Sequence, residues 1–201
     1  MEAAERSRIY WFLSRLYLEP PDGELLEAVR RLPADPPWGA LQEAAEGQSQ
    51  ESLAVEFTRL FRGIKEGYGP PPPYESLYRE GRLMGESTLE VMGCYERAGF
   101  GIIEPSAGPQ DHLGVELRFM ALLSYEEGEA RSRDDRGEAE RRLGQQRDFL
   151  AAHLGAWLPP YCSTLAGECR EDFYREVARF TEAFAASEMA RLELLENKEA
   201  I

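Results

Sequence analysis

A carboxylate and an imidazole stand side by side in Pro109-Gln110-Asp111-His112. At a helix start, Asp111 can accept from free backbone N–H groups at the positive helix end. His112 can then present its ring to a pocket, and the two together form a possible acid–base pair. An ordinary helix cap with a polar neighbour explains the same residues. The spacing predicts that the helix opens at Pro109, where a first-turn proline is tolerated.

A second set is aromatic: Phe57, Phe61, Tyr68, Tyr74 and Tyr78 flank the four consecutive prolines at 70–73. That run should be stiff and extended. The aromatics can wall an apolar groove suited to an amphipathic peptide. Phe57 and Phe61 share a helical stripe with Leu53 and Leu60 and read as core. Tyr74 and Tyr78 fall in an irregular segment and suit a binding surface.

Other chemistry finds little support. The three cysteines, Cys94, Cys162 and Cys169, form no CxxC pair and read as free thiols in a reducing compartment. Cys94 or Cys162 paired with His112 or His153 would be a nucleophile without a local signature. Gly99 and Gly101 lack the third glycine and the preceding strand of a nucleotide loop. No nucleophile elbow or zinc spacing occurs, and no cofactor is expected. The arginines at 131–147 are offset by neighbouring acids and read as a solvated face.

The formal net charge is −14. It disfavours nucleic acid, which needs clustered Lys and Arg, and it steers cationic partners inward. Residues 1–18 carry Glu2 and Glu5 and lack a continuous apolar core, so they do not read as a signal peptide. The longest run free of charged residues, 149–167, is broken by Pro159, Pro160 and His153. No stable membrane insertion is expected, and the reading is a soluble, cytoplasmic protein.

The elements that must position these residues are helical. Ile9, Phe12, Leu13, Leu16 and Tyr17 make one face of a first helix, which Pro20 and Pro21 end. Asp22 can cap the next. A short helix over 38–45 precedes a turn at 47–52, and 53–61 is helical again. A loop follows over 63–73, then an irregular linker over 74–85. Ser87 and Glu90 read as the capping box of a helix reaching Gly99. After a loop at 101–109, apolar residues from Leu113 to Leu123 point nearly all round, as in a central buried helix. A polar loop is expected at 128–137, then helices over 138–153 and 157–167. The last long helix carries Phe173, Val177, Phe180 and Phe184, and its tail, about 189–201, is expected to be charged and flexible. No repeat and no hairpin alternation is visible. The expectation is one all-α domain over 1–201.

The ordered segments Glu56-Phe57-Thr58-Arg59-Leu60-Phe61, Pro72-Pro73-Tyr74-Glu75-Ser76-Leu77-Tyr78, Leu83-Met84-Gly85-Glu86-Ser87-Thr88 and Pro109-Gln110-Asp111-His112 resemble the motifs of the TorD/DmsD/NarJ family. These are redox-enzyme maturation chaperones. The likeness runs over roughly 53–184 and includes Phe149-Leu150, Trp157, Phe173-Tyr174 and Phe180-Thr181 in the later helices. It implies a TorD-like bundle of about nine helices that is not an enzyme. It further implies binding of the twin-arginine signal peptide and apo catalytic subunit of a molybdopterin oxidoreductase, so that export waits for cofactor loading. Peptide-binding positions carried over from the family are Leu60, Phe61, Tyr74, Tyr78, Gly85, Asp111 and His112. Tyr74 and Tyr78 stand where relatives often have tryptophan. The Glu-Pro pair that often directly precedes this motif lies earlier here, at Glu104-Pro105, as if the loop were extended. Monomer and homodimer are both compatible with the sequence. The rival readings are a small enzyme using Asp111 and His112, and a structural helical adaptor.

Overall fold

The computed structural model describes residues 1–63 and 67–199, with side chains described to residue 195. Part of the loop expected over 63–73, and the end of the expected tail, lie outside the described residues. The described residues form helices in the order α1 (Ala3–Leu18), α2 (Gly23–Arg30), α3 (Gly39–Ala45), α4 (Gln50–Phe61), α5 (Glu75–Glu80), α6 (Glu86–Arg97), α7 (Leu113–Ser132), α8 (Arg136–Phe149), α9 (Gly155–Glu168) and α10 (Asp172–Glu199). A π-helical turn, Leu150–Leu154, joins α8 to α9 without a break, and a short 3₁₀ turn, Pro105–Ala107, precedes α7. Counting that continuous rod once gives the bundle of about nine helices, and no strand occurs among the described residues.

The central element is α7, which packs most extensively on α1 and α8. Leu113, Val115, Leu117, Phe119, Met120 and Leu123 are buried around its circumference, as the unpatterned apolar run requires. Gly114 lets α7 approach α1 closely, since a Cβ there would lie 2.6 Å from Leu18 Cγ and 3.1 Å from the Ser14 carbonyl oxygen. Ser14 Oγ donates to the Gly114 carbonyl at 2.7 Å across the same crossing. Buried Arg6 of α1 pairs with Glu127 of α7 and, at 3.1 Å, with Glu188 of α10, so charge joins three helices inside the core. On the other side α10 packs on α9 and α3. Each large core side chain contributes about 1.5–3 kcal/mol by leaving water.

Several local boundaries differ from the sequence reading. Ser49 Oγ caps α4 by accepting from the Ser52 amide at 3.0 Å, so helix replaces the end of the expected turn. The segment expected as an irregular linker contains α5. The expected Ser87 cap is corrected too: α6 begins at Glu86, and the Glu80 carboxylate caps it from the preceding helix. Gly128 lies within α7, and only residues 133–135 break the chain before α8, with Asp135 capping the Glu138 amide. The helix expected from Pro109 starts at Leu113, with His112 as its cap.

Candidate functional site

Two extended stretches meet side by side and set the site. The segment leaving the prolines pairs antiparallel with the segment entering α7 at Tyr74 and His112. The Glu75 amide donates to the Asp111 carbonyl at 2.9 Å, and the Leu113 amide donates to the Pro73 carbonyl at 2.8 Å. The prolines favour this arrangement, because they hold the chain extended up to the point of pairing.

Asp111 and His112 then cap different helices. Asp111 is fully buried, and its Oδ2 accepts from the Ser76 amide at 2.9 Å, which caps α5 from 35 residues away. His112 Nδ1 accepts from the Gly114 amide at 3.1 Å and caps α7. Burial, with some help from the Arg62 charge, pushes the His112 pKa down to about 3, so the ring is neutral. The two side chains therefore point to separate tasks and do not form an acid–base pair.

A cavity of about 440 Å³ opens beside this junction. Its apolar lining includes Tyr17, Phe57, Phe61, Pro72 and Leu83, and Tyr74 and His112 complete it. Arg62, Glu19 and Glu104 add charge. The Tyr74 ring stands edge-on to His112 at 5.0 Å, and its hydroxyl donates to the Ala107 carbonyl at 3.1 Å. Leu83 and Met84 are exposed apolar residues of the α5–α6 turn, and Leu83 lies on the cavity wall.

The extended loop brings Glu104 to the same place. Gln110, nearly buried, donates to the carbonyls of Glu104 and Gly108 at 2.9 Å each and accepts from the Ile103 amide at 3.0 Å. This side chain closes the loop on itself. Glu104 also forms an ion pair with Arg118 of α7, and the Ser106 hydroxyl, with Arg118 behind it, holds its carboxyl below the usual range.

Of the residues singled out in the sequence, Phe57, Phe61, Tyr74 and His112 line the cavity. Leu60 is wholly buried in the core beside it, and Asp111 lies behind it as a cap. Tyr78 packs its ring 5.6 Å from Trp157 and 5.3 Å from Tyr161, and its hydroxyl donates to the Pro71 carbonyl at 3.0 Å. It braces the proline run from the far side of α5. Gly85 serves a cap: a Cβ there would sit 2.0 Å from Glu80 Oε2, whose carboxylate holds the Glu86 and Ser87 amides.

Residues the sequence reading did not single out lie beneath α5. Glu75 is fully buried, contacts His153 Nδ1 at 3.1 Å and pairs with Arg79. Glu116 of α7 is also fully buried and accepts from Trp157 Nε1 at 3.2 Å. Burial, reinforced by the nearby Glu75 charge, pushes the Glu116 carboxyl well above the usual carboxylate range. A lone acid in the apolar run after Leu113 was the visible signal for it. No cluster of His, Cys, Asp and Glu among the described residues can hold a metal ion. No helix among them is long and apolar enough to cross a membrane.

Comparison with known proteins adds the following. The family model described as nitrate reductase delta subunit matches residues 32–163. The chaperone protein TorD of Vibrio cholerae is 26% identical over 203 residues, covering 90% of this chain and 88% of that protein. Its counterpart in Aeromonas salmonicida is 27% identical over 204 residues, covering 94% and 92%. The chlorate reductase assembly chaperone protein of Ideonella dechloratans is 33% identical over 127 residues, 63% of each chain. The crystal structure of a redox enzyme maturation protein from Archaeoglobus fulgidus superposes with a TM-score of 0.58 at 21% identity, covering 94% of this chain and 93% of that one.

Proposed function

The chain belongs to the nitrate reductase delta subunit family, and from that premise we propose that it is a cytoplasmic chaperone for the signal peptide and apo catalytic subunit of a molybdoenzyme. It is a TorD-type maturation chaperone and not an enzyme. The observation that carries the finer reading is the cavity between the proline-stiffened segment and His112, which sets aromatic and aliphatic side chains beside Glu19 and Glu104, with Arg62 on the same wall. A twin-arginine signal peptide has matching parts: a cationic stretch followed by an apolar one. Phe57, Phe61, Tyr74 and Leu83 would take the apolar part. Glu19, exposed, would take a guanidinium group in charge-assisted hydrogen bonds, and Glu104, already paired with Arg118, would offer its remaining acceptor positions to a second. Occupation of the signal by the chaperone would delay export until the cofactor is in place.

Apolar contact with the exposed parts of Tyr74 and Leu83 and charge-assisted hydrogen bonds would share the binding free energy, before association costs. The acidic surface supplies steering, which salt screens. Titration calorimetry of a signal-peptide fusion is expected to give micromolar or tighter affinity, roughly −8 kcal/mol or better. Affinity is expected to weaken with added salt and to fall in the Glu19→Gln, Glu104→Gln double variant. Absence of binding to both the signal peptide and the mature apo subunit would remove the proposal.

A further inference from the structure

The chain has three thiols, and the fold treats them differently. Cys162 and Cys169 are buried in the core. Burial raises both thiols, with Cys169 pushed up to about 12 with help from the Glu56 charge, so they are neutral and inert. Cys94 of α6 is only partly buried. Two potential cations face its sulfur: His153 Nε2 at 3.5 Å and Arg97 Nη2 at 3.1 Å. Behind the imidazole, both carboxylate oxygens of fully buried Glu75 lie 3.1 Å from His153 Nδ1.

This is a sulfur–imidazole–carboxylate relay assembled from three separate elements: α6, the π-helical turn and the start of α5. The π-helical turn places His153 between the other two. Gly155 at its end admits the close approach of Met189, whose Cε would lie 2.4 Å from a Cβ. Although burial favours the neutral ring, hydrogen bonds with Cys94 and Glu75 and the Glu75 charge raise His153 to about 9. The ring is thus an imidazolium near neutrality, oriented by its carboxylate and set with Arg97 against the Cys94 sulfur, the kind of cationic surroundings in which reactive cysteines sit. None of these three side chains lines the cavity of the candidate site.

We propose that Cys94 is a reactive cysteine, flanked at its sulfur by His153 and Arg97, that is modified by soft electrophiles and by peroxides. In the peroxide reaction the Cys94 thiolate attacks one oxygen of hydrogen peroxide. An S–O bond forms and the O–O bond breaks. The departing hydroxide takes the proton of the His153 imidazolium and leaves as water. Sulfur is oxidised by two electrons to the sulfenic acid and the peroxide is reduced.

The test compares alkylation rates at neutral pH, with iodoacetamide as probe and peptide mapping to assign the label. In the native full-length protein Cys94 should react about tenfold faster than in the same chain unfolded by guanidinium, because only the native fold holds His153 and Arg97 at its sulfur. Cys162 and Cys169 should stay unlabelled until unfolding. His153→Gln and Arg97→Gln should each bring the native rate down toward the unfolded rate, while Arg97→Lys retains most of it. After hydrogen peroxide, dimedone should trap a sulfenic acid at Cys94 alone. A native rate no faster than the unfolded rate overturns the proposal, as does an unchanged rate in both variants. If His153→Gln does not fold, the exposed Arg97 pair and the native-to-unfolded ratio decide. Trapping at Cys162 or Cys169 instead of Cys94 also overturns it.

Discussion

Replacing Asp111 by alanine tests whether this residue positions the site or touches its ligand. In the structure the carboxylate is fully buried and its Oδ2 bonds the Ser76 amide at 2.9 Å. Oδ1 has no hydrogen-bond partner among the described residues. Alanine leaves the Ser76 amide buried and unpaired and removes the cap of α5. An unpaired buried donor costs about 1–3 kcal/mol and a lost cap about 0.5–2 kcal/mol for the same group, so about 2 kcal/mol is expected. In a chain of this size that lowers the melting temperature by about 4–8 °C. Asparagine keeps one oxygen for the same amide and drops a buried charge, so Asp111→Asn should lose far less. Denaturant titration followed by circular dichroism measures both. Peptide affinity should fall in Asp111→Ala, because Tyr74 and α5 shift together, and should be kept in Asp111→Asn. Equal stability losses in the two variants would refute the capping argument. So would lost binding with unchanged stability, which would make Asp111 a direct ligand.

Four further outcomes follow from the structure. Glu56→Ala should destabilise by about 3 kcal/mol or more in denaturant titration. It strands Arg59, buried and bonded to the Glu168 carbonyl at 2.6 Å, and frees the Arg170 amide that Glu56 holds at 2.8 Å. His153 rises from its ordinary 6.5 to about 9, so the folded state binds more protons between those values. Its stabilisation is full below about pH 6.5 and is lost as pH climbs through about 9, and His153→Gln should flatten that slope. His112 acts the other way: held down to about 3, it makes stability fall as acid protonates the unfolded chain below about pH 6.5. Gly85→Ala should lower the melting temperature by displacing the Glu80 carboxylate, and adding Glu80→Ala should cost little more, because both changes remove one cap.

Helix type was legible wherever local chemistry decided it. Asp22 caps α2 by accepting from the Leu25 amide at 2.7 Å, as its position before an apolar stripe indicated. Proline breaks and the unpatterned run of α7 were equally readable. What escaped was set over long separations. The six-residue α5 has no local cap and is held by Asp111, 35 residues on. The Ser87 capping box reads well locally, yet Glu80 takes the Ser87 amide, together with that of Glu86. The contact between Glu75 and His153 spans 78 residues and depends on a π-helical turn that no periodicity announces. The family likeness marked the right segments without separating roles. Within Glu56-Phe57-Thr58-Arg59-Leu60-Phe61, Glu56 and Arg59 form a buried ion pair at 2.6 Å and Leu60 is core, while Phe57 and Phe61 reach the cavity. Sharing a motif there reflects one helix serving both packing and a surface.

The placement of the client peptide is tested most directly by two aromatic truncations read against one ligand. Tyr74 lines the cavity beside His112, whereas Trp11 lines a separate groove with Phe12 and Tyr125 on α1 and α7. With a twin-arginine signal-peptide fusion in titration calorimetry, Tyr74→Ala should weaken binding by about tenfold or more, as for a central aromatic anchor. Trp11→Ala should leave it unchanged. Full affinity in Tyr74→Ala together with lost affinity in Trp11→Ala would contradict the account and move the peptide to the other face.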